Sequence, residues 1–166
     1  DRGPIITNYE WHPELPSQII LVDRKRGGVV KTFETDAFFA FHHINAYEKG
    51  DKVIVDVCAH KDAGVIDALY LKRIRKDHDV PQARYRRFEV NPSNGKLSKR
   101  DLIDAVIELP QKNYDAVNGR HYRYAYGVGL KSANSGYIDQ LVKADVKTGE
   151  SKIWRERGVY PGEPVF

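Results

Sequence analysis

Lys52-Val53-Ile54-Val55-Asp56-Val57-Cys58-Ala59 is the stretch that decides the fold class. Val53, Val55 and Val57 fall on one side of an extended chain, and Lys52, Ile54, Asp56 and Cys58 on the other. A period of two with β-branched residues predicts a strand, because successive side chains of a pleated chain point to opposite faces. Working outward, similar short β-prone segments occupy 19–22, 29–33, 38–47, 85–90, 122–126, 138–144 and 151–154. Gly, Pro, Asn and Asp punctuate them. This pattern predicts an all-β chain arranged as a sandwich, barrel or propeller. Only 63–75, where Val65, Leu69 and Ile74 are loosely helical in spacing, reads as a short helix, and 101–108 is ambiguous.

A weak internal repeat favours the propeller. Asp23 with Gly27, Asn91 with Gly95 and Asp145 with Gly149 each place an Asp or Asn four residues before a Gly, between two β segments. The first residue opens the turn through its side chain, and Gly accepts φ > 0 where the chain reverses. The separations, 68 and 54 residues, are uneven, as in blades carrying insertions. About four strands per blade implies roughly two to three blades, too few to close a ring.

Composition bounds the function. The 166 residues are 41% hydrophobic and 30% charged, with a net charge of +4. Lys and Arg are interspersed with Asp and Glu, so no nucleic-acid partner is expected. The clusters Arg84-Tyr85-Arg86-Arg87 and Lys72, Arg73, Arg75 and Lys76 read as solvated faces. Cys58 is the lone cysteine, which leads to the expectation of a reducing, cytoplasmic location. No apolar run approaches the roughly 18 residues of a membrane span. Asp1-Arg2-Gly3-Pro4 opens no apolar signal region, there is no Met, and the chain stops on Val165-Phe166. The expectation is a single incomplete domain, 1–166, internal to a longer protein.

Two segments carry chemistry. In Phe38-Phe39-Ala40-Phe41-His42-His43-Ile44-Asn45-Ala46-Tyr47-Glu48, a regular strand would put Ala40, His42, Ile44 and Ala46 on one face. The small alanines leave room around His42 for a metal, whereas His43 falls among Phe39, Phe41, Asn45 and Tyr47 and suits packing or hydrogen bonding. On spacing alone, such a pair is more often structural than metal-binding. His12, His60, His78 and His121 are scattered and read as surface or capping residues. In Tyr160-Pro161-Gly162-Glu163-Pro164-Val165-Phe166, two prolines stiffen the backbone around one carboxylate. Glu163 is then either a solvated turn residue or a rigid orienting group for a metal-bound imidazole.

These segments resemble a known family. Phe41-His42-His43-Ile44-Asn45-Ala46-Tyr47-Glu48 closely resembles the FHHxNAYE motif of the carotenoid cleavage oxygenases. The strand Val53-Ile54-Val55-Asp56-Val57, the landmark Glu108-Leu109-Pro110 with Asn113-Tyr114, and Arg123-Tyr124-Ala125-Tyr126-Gly127 follow in family order. The final heptapeptide is similar to the family's YPxEPxF signature, so the resemblance runs from residue 38 to residue 166.

The resemblance implies a seven-bladed β-propeller with Fe(II) on its axis, held by four histidines, three of them backed by glutamates. It implies His42 as a metal ligand, Glu163 as its second-shell partner and Phe41 as a border of the substrate tunnel. The implied reaction inserts O2 across a conjugated C=C bond of an apolar polyene, a carotenoid or apocarotenoid, giving two carbonyl products. The lead-in Phe33-Glu34-Thr35-Asp36-Ala37-Phe38-Phe39 looks more like carotenoid-cleaving than stilbene-cleaving members. Stilbene cleavage, an isomerohydrolase and a non-catalytic propeller module stay as alternatives. The isolated fragment, with one of four ligands, is expected to be inactive. Peripheral membrane contact, through parts outside this chain, stays open.

Overall fold

A computed structural model describes residues 4–76, 79–132 and 137–166. His78, read above as a surface residue, lies outside the described residues. After a 3-10 turn at Ile5–Asn8, the chain forms ten strands and three short helices among the described residues. The strands are β1 (Ser17–Val22), β2 (Val29–Thr35), β3 (His43–Lys49), β4 (Lys52–Ala59), β5 (Arg84–Val90), β6 (Leu97–Val106), β7 (Glu108–Gln111), β8 (Tyr124–Gly129), β9 (Gln140–Asp145) and β10 (Glu150–Trp154). The helices are α1 (Gly64–Ala68), α2 (Leu71–Lys76) and α3 (Tyr114–Val117).

All sheets are antiparallel: the hairpin β1-β2, a four-stranded meander β3-β4-β5-β6, and a second four-stranded meander β7-β8-β9-β10. The expected helix splits into α1 and α2 at Leu69-Tyr70. The ambiguous 101–108 segment is where the chain leaves one sheet for the next. β6 ends at Val106, fully buried Ile107 makes the crossing, and Glu108 begins β7.

The repeated Asp/Asn–Gly spacing is physical. In all three turns the glycine amide donates to the carbonyl of the opening residue, at 2.8 to 2.9 Å. The side-chain Oδ1 of Asp23, Asn91 or Asp145 accepts two more backbone amides. Gly27, Gly95 and Gly149 sit at φ of 76°, 73° and 80°, which only Gly adopts freely. The turns join β1 to β2, β5 to β6, and β9 to β10. In each four-stranded sheet this is the hairpin between the third and fourth strands.

The sheets pack face to face in chain order. The larger core joins the two meanders: Ile44, Tyr47, Ile54, Cys58 and Tyr85 meet Ala125, Val142 and Ala144. A smaller cluster of Val57, Ala59 and Phe88, with Ile19 and Leu97 against it, joins the first meander to the β1-β2 hairpin. Burying a side chain such as Phe88 contributes about 1.5–3 kcal/mol. Alternation on β4 therefore serves both cores, with Ile54 and Cys58 facing one and Val57 and Ala59 the other. Cys58 is fully buried, and burial pushes its thiol well up.

Two expectations are corrected. The cluster at 84–87 is not a wholly solvated face, because strand alternation turns Tyr85 and Arg87 inward. Arg87 donates from Nε and Nη2 to the fully buried Asp56 at 2.8 and 2.7 Å. The uniform two-face reading of 38–47 also fails. β3 begins only at His43, and a register shift between His43 and Asn45 interrupts the pairing with β4. Such a bulge breaks alternation. Ile44 and Asn45 are both buried while Ala46 is exposed, so Ile44 and Ala46 do not share a face.

Candidate functional site

The hairpin β3-β4 positions two imidazoles at the same end of its sheet. The Cys58 amide donates to the His42 carbonyl at 3.0 Å, and Phe39 and His60 form an isolated antiparallel bridge just beyond. His42 thus sits immediately before β3 and His60 immediately after β4. The third member arrives from the next sheet. Glu108 opens β7, and the register shift between Glu108 and Gln111 breaks the regular pairing there. Leu109 holds a left-handed φ of 46°, unique among non-glycine residues in the described chain. Such a conformation costs on the order of 1–3 kcal/mol and persists only where the surroundings enforce it.

The three side chains converge. His42 Nδ1–H donates to Glu108 Oε2 at 2.6 Å, and His60 Nε2–H donates to Glu108 Oε1 at 2.9 Å. The Leu109 amide adds a third donor to Oε2 at 3.0 Å. Burial pushes the Glu108 carboxyl up, but the hydrogen bonds from His60, His42 and the Leu109 amide outweigh it and leave it below the usual carboxylate range. The carboxylate is therefore ionised at neutral pH and fixes which nitrogen of each ring carries the proton. With Nδ1 of His42 committed, its Nε2 carries the free lone pair.

Exposure separates the two rings. The His42 side chain is 40% exposed, that of His60 only 2%. Beside His42 opens an apolar groove of about 330 Å³, bordered by Phe41, Val65, Leu69, Val106 and Leu130. Phe41 stands edge-on to the Phe39 and His60 rings at 4.8 and 5.9 Å. Phe41 and His42 both border this groove, although a regular strand would have turned them to opposite faces.

The profile of the retinal pigment epithelial membrane protein family matches residues 2–166. The chain belongs to the carotenoid cleavage oxygenase family. Its relatives include the carotenoid isomerooxygenase of Galleria mellonella, 37% identical over 98% of this chain and 33% of that protein. The β,β-carotene 15,15'-dioxygenase of Gallus gallus is 31% identical over 94% of this chain and 35% of that protein. A crystal structure of cobalt-substituted Synechocystis ACO superposes with a TM-score of 0.75 at 26% identity, covering 88% of this chain and 30% of that one. The chain thus spans about a third of the length of the curated relatives it matches.

The family motif divides its labour. Phe41 and His42 face the groove. Asn45 is a structural clasp: its Nδ2 donates to the Val117 and Arg120 carbonyls, and its Oδ1 accepts from the Gly119 amide. Tyr47 is buried, edge-on to Tyr122. His43, expected among packed aromatics, is exposed at the start of β3. Glu163 does not meet His42; it is exposed and its Oε1 accepts from Gln111 Nε2 at 2.6 Å. The carboxylate on His42 is Glu108, 66 residues on. His60 is likewise no surface or capping residue.

The residues present fit a divalent iron through one imidazole. A neutral ring whose Nδ1 is hydrogen-bonded to a carboxylate offers an oriented, more basic Nε2, a donor suited to Fe(II). Among the described residues no group of three or more His, Cys, Asp and Glu side chains stands ready to hold a metal.

Proposed function

We propose that the full-length protein is an Fe(II)-dependent oxygenase cleaving a conjugated C=C bond of a carotenoid or apocarotenoid, with residues 1–166 an internal part of one seven-bladed propeller domain. The observation that carries this is the His42–Glu108 pair at the mouth of an apolar groove. The names of the relatives, carotenoid dioxygenases and an isomerooxygenase, support the polyene substrate. Two face-to-face meanders preceded by a matching outer hairpin support the propeller.

When bound, Fe(II) supplies the reactivity toward O2 that lets oxygen be inserted across the double bond. His42 is one of its ligands. Glu108 holds the His42 proton on Nδ1 and thereby aims Nε2. The groove removes a stretch of polyene from water beside that nitrogen, and Phe41 borders it. The isolated chain, with one of the proposed iron ligands, does not turn over. Among the described residues no helix is long and apolar enough to cross a membrane. We place the protein in the cytoplasm with peripheral contact to the bilayer, where apolar polyenes dissolve.

The test uses full-length protein loaded anaerobically with Fe(II). Wild type should bleach a carotenoid in air, and His42→Ala should lose both iron and bleaching. Retention of iron and turnover by His42→Ala would overturn the reading. Loss of a stilbene's near-ultraviolet absorbance, with the carotenoid untouched, would replace the substrate.

A further inference from the structure

Glu108 is held by two imidazoles, although only one of them faces the groove openly enough to meet a metal. His60 is 2% exposed, and its backbone is fixed by paired hydrogen bonds with Phe39 at 2.8 and 3.2 Å. Its ring is wedged beside Phe39 and Phe41 at 6.2 and 5.9 Å. Its Nδ1 is buried with no hydrogen-bond partner. That orphan decides the tautomer. A proton on Nδ1 would bury an unsatisfied N–H and remove the donor to Glu108, whereas a proton on Nε2 leaves only a lone pair uncovered. The ring is therefore set to give its single N–H to Glu108 Oε1.

The consequence is mechanical. A glutamate side chain has three rotatable bonds and, held at Oε2 alone, could swing about that anchor. With Oε1 on His60 and Oε2 on His42 and the Leu109 amide, the carboxylate plane is fixed at both ends. We propose that His60 is a positioning residue of the metal site: it locks the Glu108 carboxylate so that Glu108 can orient His42. This rests on the reading of His42 as a ligand.

The experiment measures metal binding by the full-length protein, not turnover. Co(II) is titrated in competition with a chelator, and its visible d–d bands report the coordination geometry. The variants are His60→Leu, which deletes the donor; His60→Gln, whose amide N–H reaches about where Nε2 lies; and His60→Asn, which is one methylene too short. His60→Leu and His60→Asn should weaken Co(II) binding by roughly 10- to 100-fold and shift the d–d bands. His60→Gln should restore affinity to within about threefold of wild type.

A merely structural His60 predicts something else: lower stability of the metal-free protein in all three variants, with affinity and bands of the folded protein unchanged. That result overturns the proposal. If His60→Leu does not fold, the comparison of His60→Gln with His60→Asn decides, and equal affinity overturns it. His42→Ala is the control. If it binds Co(II) like wild type, the ligand assignment itself has failed, whatever the His60 variants do.

Discussion

The buried ion pair between Asp56 and Arg87 lends itself to a quantitative prediction. The two residues face each other in register on β4 and β5, with side chains 0% and 7% exposed. Both Asp56 oxygens accept from Arg87, and the Tyr122 hydroxyl donates to Oδ2 as well. Burial works against the Arg87 charge, yet the adjoining Asp56 carboxylate raises its pKa overall. Burial, with Tyr85 and Asp56 beside it, pushes Tyr122 far up, so its phenol stays protonated and donates. The cluster ties the lead-in of β8 to the first meander. Replacing Asp56 by Leu strands a guanidinium in the core and should cost about 3–5 kcal/mol. Arg87→Leu should cost a similar amount by stranding the carboxylate. The double variant strands neither charge, so it should be more stable than either single variant. Urea-unfolding midpoints of the full-length protein, read with m-values, give the three differences. A double variant whose cost equals the sum of the single costs would refute the reasoning, because the pair would then be energetically uncoupled.

Two further outcomes can be checked the same way. A Cβ at Gly127 would meet Ile107 Cγ1 at 2.6 Å and the Glu108 carbonyl oxygen at 2.7 Å. Gly127→Ala should therefore destabilise by about 1–3 kcal/mol and, by displacing Glu108, weaken Co(II) binding; unchanged affinity would show that β7 absorbs the shift elsewhere. The three Asx turns should respond unequally. Asn91 is 4% exposed and its Nδ2 also donates to Asp51 at 2.6 Å, whereas Asp23 is part-exposed and caps only its own turn. Asn91→Ala should cost about 1–3 kcal/mol and Asp23→Ala under about 1 kcal/mol in urea unfolding.

What the sequence revealed follows from the range of the interactions. The β4 boundaries and the three Asp/Asn–Gly turns were legible because period and turn chemistry are local. His42 was legible through its motif. The bulge at His43–Asn45 was not, because it arises from pairing with β4 and leaves no mark on the residues themselves. Glu108 and His60 were missed for a related reason. Their contacts close loops of 66 and 48 residues, and no spacing rule joins a strand-end histidine to a glutamate in the next sheet. One hint was available. Glu108-Leu109-Pro110 stood in the family order as a landmark, which marked the segment without giving the glutamate a partner. Arg87 was misread because charge density was weighed without strand alternation, which sends every second residue of that cluster into the core.

Cys58 has a consequence for chemical durability. Its thiol is fully buried, and burial keeps it protonated, so it presents no thiolate to peroxide. The chain contains no methionine and no other cysteine. Every sulfur that could climb the oxidation ladder toward sulfenate or sulfoxide is thus either missing or sealed between two sheets. A stretch of protein proposed to work beside O2 thus offers stray oxidant no accessible sulfur.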